Sequence, residues 1–158
     1  MPLVLKYIKE YDYVIWIDAD AFFYKDAKDI RTIIEENINQ PFIFSNDKGN
    51  YNINCGFFIV KNTEYSINFL NKWAYDNRLY IKNSFPGWWE QGVLIDMFKQ
   101  NILDIQSNNI YYPYGILQHF SIDPVESFMN KPYVLHIAGQ STETRVSIST
   151  DYFYRHIL

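Results

Sequence analysis

The sequence predicts an α/β fold, a sheet flanked by helices, in one domain of 158 residues. Three observations predict it. Short runs of β-branched and aromatic residues at 13–17, 42–45, 57–60 and 133–139 read as buried strands. Between them, segments 26–38, 64–75 and 88–98 read as helices, with apolar stripes in the first two. Apolar residues make up 48% of the chain and aromatic residues 19%, which is ample for a packed core and argues against disorder.

The first strand organises the rest. Residues 3–11 place Leu3, Leu5, Tyr7 and Ile8 near one side, a short amphipathic helix that delivers the chain into strand 13–17. That strand ends abruptly in Asp18 and Asp20, one on each side of Ala19. Loops after buried strands carry function. Two carboxylates this close repel each other unless a cation or proton sits between them. Hard, oxygen-binding cations such as Mg²⁺ or Mn²⁺ suit such a pair. Two solvated turn aspartates would give the same pattern.

Residues 26–38 form the next expected helix, with Asp26 as its cap, Asp29 in the first turn, and Ile30, Ile33, Ile34 and Ile38 as the apolar stripe. Pro41 stops it, Phe42–Ser45 is a short strand, and 46–50 is a turn. Polar Asn54 and flexible Gly56 stand just before strand 57–60. A glycine there permits close approach by a ligand or a neighbouring segment, or serves an ordinary turn. Thr63 caps helix 64–75, whose buried face carries Ile67, Leu70, Trp73 and Ala74. Residues 76–87 read as a loop with Pro86-Gly87 near its end.

Helix 88–98 has Glu90 and Gln91 in its first turn, pointing at whatever lies before it or simply keeping that turn polar. Short β pieces are expected at 103–106 and 110–112, and an irregular stretch at 113–130 that includes His119. His136 and Gly139 close the last strand-like run, and a neutral imidazole is a good ligand for a borderline divalent cation. Residues 141–156 read as a terminal helix.

Composition excludes several classes. The net charge is −4 and no basic stripe appears, which argues against nucleic-acid binding. A single cysteine, Cys55, rules out an internal disulfide and a Cys-rich zinc site. No apolar run approaches the roughly 20 residues that span a bilayer. The N-terminal Met-Pro-Leu-Val-Leu-Lys is too short for a signal peptide. The expectation is a soluble chain with no membrane segment, cytoplasmic if complete.

Four stretches in order carry a resemblance: the apolar strand into Asp18-Ala19-Asp20-Ala21, the segment Asn54-Cys55-Gly56-Phe57-Phe58-Ile59-Val60-Lys61-Asn62, Trp89-Glu90-Gln91, and His136-Ile137-Ala138-Gly139. Together they resemble retaining, nucleotide-sugar-dependent glycosyltransferases of the GT-A type. The closest resemblance is to the family of fungal α-galactosyl- and α-mannosyltransferases and plant xyloglucan xylosyltransferases, retaining glycosyltransferase family 34. Glycogenin-like enzymes are more distant.

The resemblance implies a Rossmann-like mixed sheet flanked by helices, with ligands at the carboxyl ends of the strands. It implies Mn²⁺ (or Mg²⁺) held by Asp18, Asp20 and His136. It also implies a UDP-sugar donor, or a GDP-sugar, and a glycan or glycoprotein acceptor. Asp18, Ala19, Asp20, Asn54, Gly56 and Gly139 would contact the donor, and Glu90 and Gln91 would face the donor sugar as catalytic residues.

Two departures stand out. Gln140 and Ser141 follow where relatives place a lysine, and the nearest cation is Arg145. The chain starts only one helix before the Asp18-Ala19-Asp20 strand, so it reads as a truncated GT-A domain over 1–158, the metal, diphosphate and acceptor half. Its nucleoside pocket is mostly missing, so the chain reads as a fragment, a minimal domain or a catalytically reduced relative; a homo-oligomer or a missing N-terminal portion is the expectation for further partners. The alternative is a catalytically inactive glycosyltransferase-like binding domain. A haloacid dehalogenase-type phosphatase also ends a strand in Asp-x-Asp, but it needs Thr or Val just after, where Ala21-Phe22 stand here.

Overall fold

The computed structural model describes residues 1–49, 53–81, 84–85, 87–120 and 131–156. The chain begins with helix α1 (Pro2–Tyr7), then strand β1 (Tyr13–Ile17) and strand β2 (Ala21–Phe23). Helix α2 (Ile30–Glu36), strands β3 (Phe42–Ser45) and β4 (Asn54–Lys61), and helices α3 (Glu64–Tyr75) and α4 (Asn77–Ile81) follow. Helix α5 (Trp89–Lys99), a 3₁₀ turn (Ile102–Asp104), helix α6 (Ile105–Asn108), strands β5 (Ile110–Tyr112), β6 (Gln118–Phe120) and β7 (Val134–His136), and helix α7 (Thr142–His156) complete it.

The strands form two mixed sheets. The larger has the order β1-β4-β3-β5, with β4 antiparallel to β1 and β3, and β3 parallel to β5. The smaller has the order β2-β7-β6, with β2 antiparallel and β6 parallel to β7. The fold is thus a mixed α/β arrangement flanked by helices, as the sequence predicts.

Strand β4 shows why residues 57–60 read as one unbroken apolar run. Phe58 and Val60 join a core with Val4 of α1, Phe69, Leu70 and Trp73 of α3, and Val93 and Leu94 of α5. Phe57 and Ile59 point the other way, into a core with Ile33 of α2 and Leu117, Tyr133 and Val134 beside the smaller sheet. A strand covered on both faces has no polar alternation. No described helix is long and apolar enough to cross a membrane.

Several boundaries differ from expectation. Helix α2 starts four residues late. Its cap is Asp29, whose Oδ1 accepts from the Arg31 N–H at 2.9 Å, while Asp26 instead pairs with Lys131 at 2.6 Å. Residues 103–106 are helical, not β, because Asn101, Leu103 and Asp104 take left-handed turns and Asn101 Oδ1 caps the Gln106 N–H. Leu103-Asp104-Ile105-Gln106 alternates apolar and polar as a strand does, but four residues are too few to distinguish strand from helix.

The expected loop 76–87 contains α4, and the expected irregular stretch contains β6, which carries His119. Strand β2 is an addition, and Asn54 and Gly56 lie inside β4 rather than before it. The expected turn at Asn50, Pro86 near the end of the expected loop, and the irregular reading of 121–130 lie outside the described residues.

Candidate metal centre

The two sheets are joined by the turn that carries both aspartates. The Asp18 N–H donates to the Gly56 carbonyl at 2.9 Å, extending the β1–β4 ladder by one residue. The Ala21 N–H then donates back to the Asp18 carbonyl at 3.0 Å, a reverse turn that feeds β2. The Asp20 carbonyl accepts from the Ile137 N–H at 2.9 Å, which ties the turn to the end of β7. Ala21 pairs with His136 in that register. The carboxyl ends of β1 and β7 therefore meet, and Asp18, Asp20 and His136 come from two sheets to one place.

One ligand atom from each of these three residues lies within 4.8 Å of the other two. His136 Nε2 is 3.1 Å from Asp20 Oδ1 and 3.6 Å from Asp18 Oδ2. Asp18 Oδ1 accepts from the Trp16 indole N–H at 2.7 Å, and Asp20 Oδ2 is 3.2 Å from the Arg145 guanidinium on α7. His136 is 4% exposed. Burial pushes the Asp18 carboxyl above its ordinary value; Asp20 and Glu90 add to this, and the Trp16 hydrogen bond and His136 oppose it. Two carboxylates and an imidazole nitrogen, close together and partly desolvated, form a donor set that fits a divalent cation.

A cavity of about 480 Å³ opens beside this cluster, lined in part by Asp18, His136, Asp47, Asn54, Glu90 and Gly139. Asp47, like Asp18, is held above its ordinary value by burial, against hydrogen bonds from Asn54 and the Lys48 N–H. Gly139 turns the chain at φ +72°, where an L side chain is disfavoured, and open space lies where a Cβ would be. Gly56 is required for the opposite reason. A Cβ there would overlap the His136 ring, 2.5 Å from Nδ1. The close neighbour allowed by this glycine is thus a protein side chain.

Asn54 and Gly56 line the cavity, but the Asn54 amide is engaged inside the protein. Its Oδ1 accepts from the Gly56 N–H at 2.7 Å and from Gln118 Nε2 at 2.6 Å. Its Nδ2 donates to Asp47 Oδ2 at 3.3 Å. Glu90 and Gln91 both reach the cavity and differ in their surroundings. Gln91 Oε1 accepts from the Cys55 N–H and its Nε2 donates to the Ile53 carbonyl, each at 2.7 Å, so its amide stitches α5 to β4. Ala19 sits apart from the cavity, in a separate groove with Asp20, Arg145, Val146, Ser149 and Thr150.

Sequence reasoning missed four participants. Trp16 read only as strand filling, Asp47 as turn polarity, and Gln118 carried no periodic signal. Trp89 read as part of a motif, yet it stands 77% exposed at the cavity with φ +48°, the kind of backbone outlier that gathers at ligand sites.

A family model described as "Protein of unknown function, DUF273" matches residues 2–112, a span that includes Asp18, Asp20, Asn54, Gly56, Glu90 and Gln91 but stops before Gln118, His136 and Arg145. No curated protein is significantly similar in sequence. Among solved structures, the chain is similar in fold to a glycosyltransferase involved in the glycosylation of the major capsid of PBCV-1. The TM-score is 0.63 at 14% identity, covering 97% of this chain and 71% of that one. That likeness shows a glycosyltransferase-like fold.

Proposed function

The chain belongs to the DUF273 family, and from that premise we propose that it is a metal-dependent glycosyltransferase. It would move a sugar from a nucleotide-diphospho-sugar, UDP-linked in preference to GDP-linked, to a glycan or protein acceptor, with retention at the anomeric carbon. Residues 1–158 would act as one domain in this reading.

The observation that carries the reading is the convergence of Asp18, Asp20 and His136 beside an acidic cavity, and the fold supports it. These three residues would hold Mn²⁺ or Mg²⁺, and the bound ion would supply positive charge to the diphosphate leaving group as Lewis acid and template.

The remaining roles follow from position. Gly139 leaves room at the cavity wall for phosphate oxygens. Asn54 and Gly56 form a wall of the donor-sugar pocket. Glu90 lines the cavity and would stabilise positive charge on the donor sugar, and Gln91 holds the β4 backbone that shapes the pocket. Trp88 and Trp89, both exposed at the cavity, offer ring faces to an acceptor sugar.

A second reading, an inactive glycosyltransferase-like binding domain, is favoured by one observation: the Gln91 amide spends a hydrogen bond at each end on the protein backbone, as a structural residue would. Donor hydrolysis separates the two. A panel of UDP- and GDP-sugars should show slow nucleotide release that requires Mn²⁺ and disappears in Asp20→Asn. Binding without turnover of any donor supports the second reading.

A further inference from the structure

The polarity of one backbone N–H places a proton on Nδ1 of His136. The Gly56 N–H can only donate, so the Asn54 atom 2.7 Å away is the acceptor Oδ1. Asn54 Nδ2 is thereby turned to the Asp47 carboxylate, which can accept. The Gln118 atom 2.6 Å from Asn54 Oδ1 must then be a donor, Nε2. That leaves Gln118 Oε1 facing His136 Nδ1 at 3.1 Å. An amide oxygen only accepts, so Nδ1 carries a proton. Nε2 faces Asp20 Oδ1 at 3.1 Å and Asp18 Oδ2 at 3.6 Å; these carboxylates accept a proton from it when no cation is bound, and a cation between them takes Nε2 as a bare ligand.

A cation held by the two carboxylates would take Nε2 as its third ligand, and moving the Nδ1 proton to Nε2 would point an N–H where the ion belongs. We infer that Gln118 is a positioning residue. Through the Gly56–Asn54–Gln118 chain it holds His136 as the Nδ1–H tautomer, with Nε2 directed at the ion shared with Asp18 and Asp20. The inference rests on the cation reading of this site, and it names a residue outside the matched family segment. Gln118 is 1% exposed and β6 pairs in parallel with β7, so the amide lies against the ring it orients.

The test uses ¹⁵N-histidine-labelled protein without metal, at alkaline pH, with its resonances identified by their loss in His136→Asn. The expected pattern is an Nδ1 that carries a proton, whatever the state of Nε2. A bare Nδ1 overturns the inference. This measurement stands whether or not the protein binds a cation, so failure of the cation reading shows separately, as no saturable Mn²⁺ binding by the wild type.

In the second arm, free Mn²⁺ is followed by electron paramagnetic resonance. Gln118→Leu should weaken Mn²⁺ affinity by about tenfold or more and, in the labelled protein, lose the fixed proton on Nδ1. Gln118→Leu that binds Mn²⁺ like the wild type, or that keeps Nδ1 protonated as the wild type does, overturns the assignment. Should Gln118→Leu fail to fold, the wild-type Nδ1 signal decides.

Discussion

The Trp16 indole N–H donates to Asp18 Oδ1 at 2.7 Å, from two residues back along the chain. The bond occupies one oxygen of the carboxylate and leaves Oδ2 toward His136. Trp16 also stacks on Phe58, with ring centroids 6.4 Å apart. Trp16→Phe therefore removes the donor while keeping an aromatic ring against the core. Mn²⁺ affinity should fall by about tenfold, as for loss of an outer partner of a metal ligand. Titration of free Mn²⁺ checks it, and an unchanged affinity counts against the proposed role of Asp18.

Gly56→Ala should be felt at His136. The added Cβ lies 2.5 Å from Nδ1 and 3.1 Å from Asn54 Oδ1, so the ring has to leave its present position. Overpacking of this kind costs about 1–3 kcal/mol. We expect a lowered melting temperature together with loss of Mn²⁺ binding. Full binding in the variant would show that the ring position is unimportant.

Glu90 and Gln91 are adjacent in sequence, and their variants should separate. Gln91→Leu leaves the Ile53 carbonyl and the Cys55 N–H without their partner, at a cost of about 1–3 kcal/mol in urea unfolding. Glu90→Gln should fold like the wild type and lose about a hundredfold or more in donor turnover. Equal stability losses in both variants would contradict this division.

Arg145 holds Asp20 at 3.2 Å from α7, with its side chain 43% exposed. A guanidinium there competes with a divalent ion for the same carboxylate. Arg145→Ala should raise Mn²⁺ affinity in the nucleotide-free protein by about threefold, the scale of a partly exposed ion pair. A drop in affinity would show that Arg145 supports the ion site instead.

Strands β1, β3 and β5 were legible because each is a short β-rich run, and the Asp18-Ala19-Asp20 turn because it ends one of them. His136 was legible as the end of a strand. What escaped were features with no local signature. Strand β2 is three residues long directly after a turn, and β6 reads Gln-His-Phe, without alternation. Each becomes a strand only because β7 lies between them. Gln118 therefore gave no sign of its contact with a histidine 18 positions away. Gly56 was noticed for its flexibility, but that the segment it admits is the His136 ring depends on the pairing of β4 with β1 and on the turn into β2. Helix α2 was misplaced at its start because Asp26 and Asp29 are equally good caps by letter, and only the contact between Asp26 and Lys131, 105 residues later, separates them.

We propose that Asp18, Asp20 and His136 hold a divalent cation that binds the diphosphate of a sugar nucleotide. Calorimetric titration of UDP into the protein, with and without Mn²⁺, is the decisive measurement. Saturable UDP binding that requires Mn²⁺ and is lost in Asp18→Asn/Asp20→Asn with the fold intact is the expected result. UDP binding of equal strength without Mn²⁺, binding retained in the double variant, or no binding under either condition would contradict it.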